Sequence, residues 1–167
     1  MSKSPDLPTV SLALCGLAQA ADLLGDRWTL LILRESFYGV RRFEELRENI
    51  GASRQALSNR LNAMVEQELL AKRAYREPGE RERHEYVLTD KGRSLGPILV
   101  ALMAWGHRHI LHDNPHVQLV DKRSGLPVQL AFIDAQARVV PEDALQMSAV
   151  ERPPAWLTHS GLRLIPD

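Results

Sequence analysis

The sequence predicts a mainly α fold with a small β component, an α+β class, and three observations carry that reading. Apolar residues recur every three to four positions in successive segments between Val10 and Val65. Two short runs, Ala71 to Arg76 and His84 to Leu88, flank a polar stretch at 77–83 that suits a hairpin turn. A last helical pattern runs from Thr89 to about His112, after which short apolar runs alternate with turn residues.

The first helix is expected over Val10 to Leu24, with Gly25 stopping it and Asp26 able to cap the next. The second reads Arg27 to Phe37, where Trp28, Leu31, Ile32 and Glu35 share one side. A short third helix, Phe43 to Ile50, places Phe43, Leu46 and Ile50 together. Gly51 closes it and Ser53 opens a fourth, so two helices are joined by three residues with a glycine in the connection. That spacing is typical of a helix-turn-helix, although paired short helices also occur in proteins with other tasks. The hairpin after it completes a winged helix-turn-helix. Thr89 supplies the N-cap hydroxyl of the long helix, and Leu95, Leu99, Leu102 and Gly106 form its stripe. Beyond Pro115, Val117 to Asp121, Leu126 to Ile133 and Arg138 to Val140 read as a short C-terminal β appendage. The expected division is a tail at 1–8, a winged-helix unit at 9–112, and the appendage with its tail, including Pro153-Pro154 and Pro166, at 113–167.

Composition restricts the class. With 167 residues, 44% hydrophobic and 25% charged, the chain is long enough for one sizeable core. No run of eighteen apolar residues exists, and Met1 to Val10 holds Pro5, Pro8 and a single Lys3. Neither a membrane span nor a secretory signal is expected, so the expected location is cytoplasmic. The formal net charge is +0, yet basic residues outnumber acidic ones from Arg27 to Arg83 and are outnumbered from Asp113 onward. The first region is the expected phosphate-facing surface.

Within Ser53 to Val65, a rotation of 100° per residue gathers Arg54, Gln55, Ser58, Asn59 and Asn62 on one arc, opposite Leu57, Leu61 and Met64. The polar arc of that segment has no carboxylate, and Arg, Gln, Asn and Ser match the donors and acceptors of base edges. A solvated polar face would look the same from the helix alone. Ser53, Arg54, Gln55, Ser58 and Asn59, nearest the helix start, are the expected DNA-contacting residues, with Asn62 deeper and Arg60 on the flank of the core face. The hairpin adds Arg73, Arg76, Arg81, Arg83 and His84, which suit phosphate contact; Glu77, Glu80 and Glu82 among them could instead neutralise the arginines. Arg41 and Arg42, ahead of the third helix, are placed for phosphate contact or are plain surface charge.

In order along the chain, Gly25-Asp26-Arg27-Trp28, Arg41-Arg42-Phe43-Glu44-Glu45-Leu46, Ser53-Arg54-Gln55-Ala56-Leu57-Ser58-Asn59-Arg60-Leu61 and Leu88-Thr89-Asp90-Lys91-Gly92-Arg93 resemble the HxlR family of winged helix-turn-helix transcription regulators. The resemblance covers about Cys15 to His109. It implies a sequence-specific regulator that binds double-stranded DNA as a homodimer, through an inverted-repeat operator, with repression the expected sign because repression needs only occupancy. It implies dimerisation through the terminal helices, here Leu14 and Leu17 with Leu95, Leu99, Leu102 and Gly106. Some members sense oxidants through a cysteine in the first helix, the place of Cys15, the one cysteine of this chain. Cys15 is thus a candidate redox switch, or a small hydrophobe near an interface. A small-molecule effector is the other candidate signal.

His107, His109, His112 and His116 cluster, but their spacing is loose. Some relatives carry a Cys-x-x-Cys-Gly knuckle where this chain has Asp121-Lys122-Arg123-Ser124-Gly125, so no metal and no cofactor are expected. Gly-x-Ser-x-Gly, phosphate-loop and His-Glu-x-x-His motifs are missing from the sequence, which argues against an enzyme. The rival reading is a winged helix used as a protein–protein interaction module, which exposed aromatic or acidic residues on the polar arc would have favoured.

Overall fold

The computed structural model describes residues 11–147. By internal contacts the described residues divide into Gly16–Val128 and a second unit that joins Ser11–Cys15 to Gln129–Met147. The expected tail at 1–8 and the Pro153-Pro154 and Pro166 segment lie outside the described residues.

In the larger unit the elements are α1 (Gly16–Leu24), α2 (Arg27–Phe37), α3 (Phe43–Ile50), α4 (Arg54–Glu66), β1 (Leu70–Tyr75), β2 (Arg83–Leu88), α5 (Asp90–Arg93), α6 (Gly96–Gly106) and a π turn at His107–Leu111. The first helix starts later than its apolar pattern suggested, because Leu12–Leu14 forms a separate 3-10 turn. Asp26 caps α2 by accepting from the Trp28 and Thr29 amides at 2.9 and 3.1 Å. Gly51 adopts φ 68 at the end of α3, a left-handed conformation that costs glycine little, and its amide donates to the Arg47 carbonyl. Ser53 caps α4 through the Ala56 amide at 3.2 Å.

One core forms where these helices meet. Ile32 and Leu33 of α2, Leu46 of α3, and Leu57, Leu61 and Met64 of α4 are fully buried together with Leu69. Each such side chain contributes about 2 kcal/mol by leaving water. The buried stripe of α4 is the one its sequence pattern predicts, which turns the opposite arc to solvent.

β1 and β2 pair antiparallel with Leu70 opposite Leu88 and Tyr75 opposite Arg83. A short third rung is added at the edge: Arg42 bridges Glu85, and the Tyr86 amide donates to the Arg41 carbonyl at 2.9 Å. Two hydrogen-bonded contacts then close the junction after β2. Thr89 caps α5 by accepting from the Gly92 amide at 3.0 Å, and its own amide donates to the Leu69 carbonyl at 3.1 Å. Gly92 packs so closely on the residue before β1 that a Cβ there would lie 2.2 Å from the Leu69 carbonyl oxygen.

The single helix expected from Thr89 to His112 is in fact three pieces. Pro97 stands in the first turn of α6, where it has no amide to donate back to Arg93, and it disfavours helical backbone at Gly96. At the far end the helix widens into the π turn and stops at His112, whose φ is 53. Leu99 is only 7% exposed and Leu95 packs against the core, so these two lie in the core of the larger unit rather than on a free face. Leu102, Trp105 and Ile98 face outward instead.

The appendage forms less sheet than its alternation suggested. Val120 bridges Pro127 around a turn in which Asp121 accepts from the Arg123 amide and the Ser124 hydroxyl, both at 2.9 Å. These contacts hold the Asp121 carboxyl below its ordinary range, the Arg123 amide foremost. In the second unit, β3 (Phe132–Ile133) pairs with β4 (Val139–Val140) across the turn at 134–137. There Asp134 accepts from the Arg138 side chain at 2.8 Å, and that bond chiefly depresses the carboxyl. A 3-10 turn follows at Glu142–Ala144.

Candidate nucleic-acid interface

The outer face of α4 is the natural starting point, because its side chains stand free of the core while its backbone is tied to it. Arg54, Gln55, Asn59 and Asn62 are exposed, and Ser58 is half-buried. Ser53 is exposed too, with its hydroxyl oxygen committed to the cap. Gln55 donates to the Asn59 amide oxygen at 2.7 Å, so this pair presents a joined row of polar atoms. Asn62 accepts from Lys72 at 3.0 Å, a residue of β1 that the sequence reading did not select. Glu66, in the last turn of α4, lies exposed on the same arc and is the one acidic residue of that helix.

Arg54 is held from below. Its guanidinium lies 2.7 Å from Glu44 Oε1 and 5.5 Å above the Phe43 ring, while Glu44 Oε2 accepts from Arg47 at 2.9 Å. One carboxylate thus bridges two arginines. Its pKa is held below the ordinary glutamate value, first by the Arg47 hydrogen bond and then by that from Arg54.

The hairpin arginines fall into two groups. Arg42 pairs with Glu77 at 2.7 Å and stacks 5.0 Å over Tyr75, which raises its pKa further, the nearby Glu77 charge contributing most. Arg83 pairs with Glu80 at 2.8 Å, and Arg73 with Glu85 across the strands at 2.6 Å. Arg41, Arg76 and Arg81 are exposed and make no ion pair among the described residues. The edge rung at Arg42 brings Arg41 and Arg42 alongside β2, so two arginines distant in sequence from the hairpin join it. Arg60 turns away from this surface to meet Asp26 at 3.0 Å, which ties α4 to the cap of α2. Glu35 performs a similar task. It is 5% exposed and accepts from Arg34 at 2.7 Å and from Asn49 at 2.7 Å, linking α2 to the end of α3.

A model of HxlR-like helix-turn-helix proteins matches residues 23–114, the span that holds the core, α3, α4 and the hairpin. The chain belongs to the HxlR-like helix-turn-helix family. It is 48% identical over 104 residues to Rv3095 of Mycobacterium tuberculosis (strain H37Rv), an uncharacterized HTH-type transcriptional regulator; the match takes in 62% of this chain and 65% of that relative, so it spans just under two thirds of the relative's length. YodB of Bacillus subtilis, an HTH-type transcriptional regulator, is 31% identical over 90 residues, covering 53% of this chain and 79% of YodB. Among solved structures, PA1607, a candidate transcription factor, superposes with a TM-score of 0.69 at 34% identity, covering 81% of this chain and 95% of PA1607. That coverage exceeds the family span and necessarily reaches beyond residue 114. The likeness to PA1607 therefore takes in residues outside the span that the family model matches.

Cys15 is half-buried, between the 3-10 turn and α1. His107 Nδ1 lies 2.6 Å from Asp113, and His116 stands 3.8 Å from the same carboxylate. Among the described residues no group of three or more His, Cys, Asp or Glu side chains is arranged to hold a metal ion. Likewise, no described helix is long and apolar enough to cross a membrane.

Proposed function

We propose that this protein binds double-stranded DNA as a homodimer, seats the N-terminal half of α4 in the major groove of each half of an inverted repeat, and represses transcription by occupying that operator. The observation that carries this reading is the outer face of α4: Arg54, Gln55, Asn59 and Asn62 are free of the core on a helix locked at Ser53, Arg60 and the Leu57–Leu61–Met64 stripe. A rigid helix with base-matching side chains at its start is what direct readout requires. The hairpin with unpaired Arg76 and Arg81, joined by Arg41 beside it, supplies cations for the sugar–phosphate backbone.

The homodimer reading is supported by exposed apolar residues on two helices: Leu17 of α1 is 80% exposed, and Leu102 and Trp105 of α6 are 50% and 58% exposed. Gly106, with open space where a Cβ would stand, allows close approach there. Leu14, in the second unit, is 80% exposed as well. Cys15 as a switch is supported by the likeness to YodB, one of whose crystal structures is described as its reduced form. As the chain's single cysteine, it would cross-link two chains if it formed a protein disulfide.

The test separates base contact from phosphate contact. Arg54→Ala is expected to lower selectivity between operator and other duplexes by about 1–3 kcal/mol, whereas Arg81→Ala lowers affinity for all duplexes alike and reduces the salt slope by about one. Duplex titrations over a range of KCl measure both quantities. Unchanged operator binding in both variants would remove α4 and the hairpin from the DNA surface.

A further inference from the structure

The arginines of this face divide by whether a carboxylate already holds them, and the division is sharpest at the start of α4. Arg54 is 70% exposed and Glu44 51%, so water and a ligand both reach the pair. Glu44 has one oxygen on Arg54 and the other on Arg47, which fixes it between the two cations. The contact to Glu44 uses one terminal nitrogen of Arg54, and a guanidinium has five N–H donors in all. Donors therefore remain for a second acceptor while the pair stays intact.

The identity of that second acceptor matters electrostatically. A base edge such as guanine O6 and N7 is neutral, so it adds hydrogen bonds without adding charge beside Glu44. A phosphate brings a second anion close to Glu44 and is repelled by that carboxylate, which offsets part of its attraction to Arg54. We propose that Glu44 is a specificity-determining positioning residue, which keeps Arg54 aimed over Phe43 and restricts it to neutral acceptors on base edges. Arg41, Arg76 and Arg81 make no ion pair among the described residues and are left for phosphates. The inference rests on the DNA-binding reading above and adds to it the source of sequence discrimination.

Glu44→Gln keeps the length and the hydrogen-bond acceptor of the side chain while removing its charge. Binding of the full chain to a labelled mixed-sequence duplex, and to the duplex recovered by selection, is measured across a fourfold range of KCl. The variant is expected to bind the mixed-sequence duplex about threefold tighter at the low-salt end, with a log–log salt slope steeper by about one, as one added phosphate contact requires. Affinity for the selected duplex rises less, so the specificity ratio falls. Adding Arg54→Ala to Glu44→Gln is expected to abolish the gain. Glu48→Gln is the control, being the same charge change on the same helix, 4.0 Å from Arg47 and away from Arg54. An unaltered ratio in Glu44→Gln, an equal effect in Glu48→Gln, or a gain that survives loss of Arg54 would each overturn the proposal. Failure of the unmodified protein to prefer any duplex is a different result, and rejects the DNA-binding reading itself.

Discussion

At the scale of single residues, the two buried polar side chains among the described residues differ in whether a partner answers them, and the difference is informative. Glu35 is buried but receives Arg34 and Asn49. Thr29 is fully buried on α2 and its hydroxyl has no hydrogen-bond partner. A hydroxyl left alone in a core retains its desolvation cost with no bond to offset it. Thr29→Val replaces it with a methyl group of similar shape and is expected to raise stability by about 1 kcal/mol, read from urea unfolding midpoints at constant m. A loss of stability would mean that the hydroxyl is bonded after all. The exposed arc of α4 was legible residue by residue, because a 3.6-residue period separates core from solvent with no long-range information. The Arg54–Glu44 pair was not legible, since it depends on how α3 crosses α4. Leu99 shows the same limit: its place in a stripe was evident, but whether that stripe meets the protomer's own core or another surface depends on packing.

At the scale of elements, caps and breakers mark most boundaries. Asp26, Gly51, Ser53 and Thr89 each stand where a helix starts or stops, with the hydrogen bonds their types imply. The one long helix that became three had its signal in Pro97, a residue that tends to open a helix rather than continue one. The rung between Arg42 and Glu85 had no signal, because a one-residue bridge leaves no periodic pattern. Docking of α5 against Leu69, the residue before β1, depends on Gly92. Gly92→Ala would place a Cβ 2.2 Å from the Leu69 oxygen and is expected to cost about 2 kcal/mol or more, because backbone on both sides must shift. Its signature in hydrogen exchange is faster loss of the Thr89 and Gly92 amides than of the α2 core. Uniform loss, or none, would contradict this account of the junction.

At the scale of the whole molecule, the larger unit has a well-filled core yet leaves apolar residues of α1 and α6 in water, an arrangement monomers seldom keep over a large patch. For the proposed homodimer, Leu102→Asp is expected to give a folded monomer and to weaken operator binding at least tenfold, through loss of the second α4; sedimentation equilibrium and circular dichroism follow the two effects. A dimer that persists would place the interface elsewhere. The central claim is that two copies of α4 read one inverted repeat, and selection of bound duplexes from a random pool at near-physiological salt tests it most directly. The account predicts recovery of a single motif with two symmetric halves about one helical turn apart. Recovery of no shared motif by a folded dimer, with duplexes bound in proportion to their abundance, would contradict it.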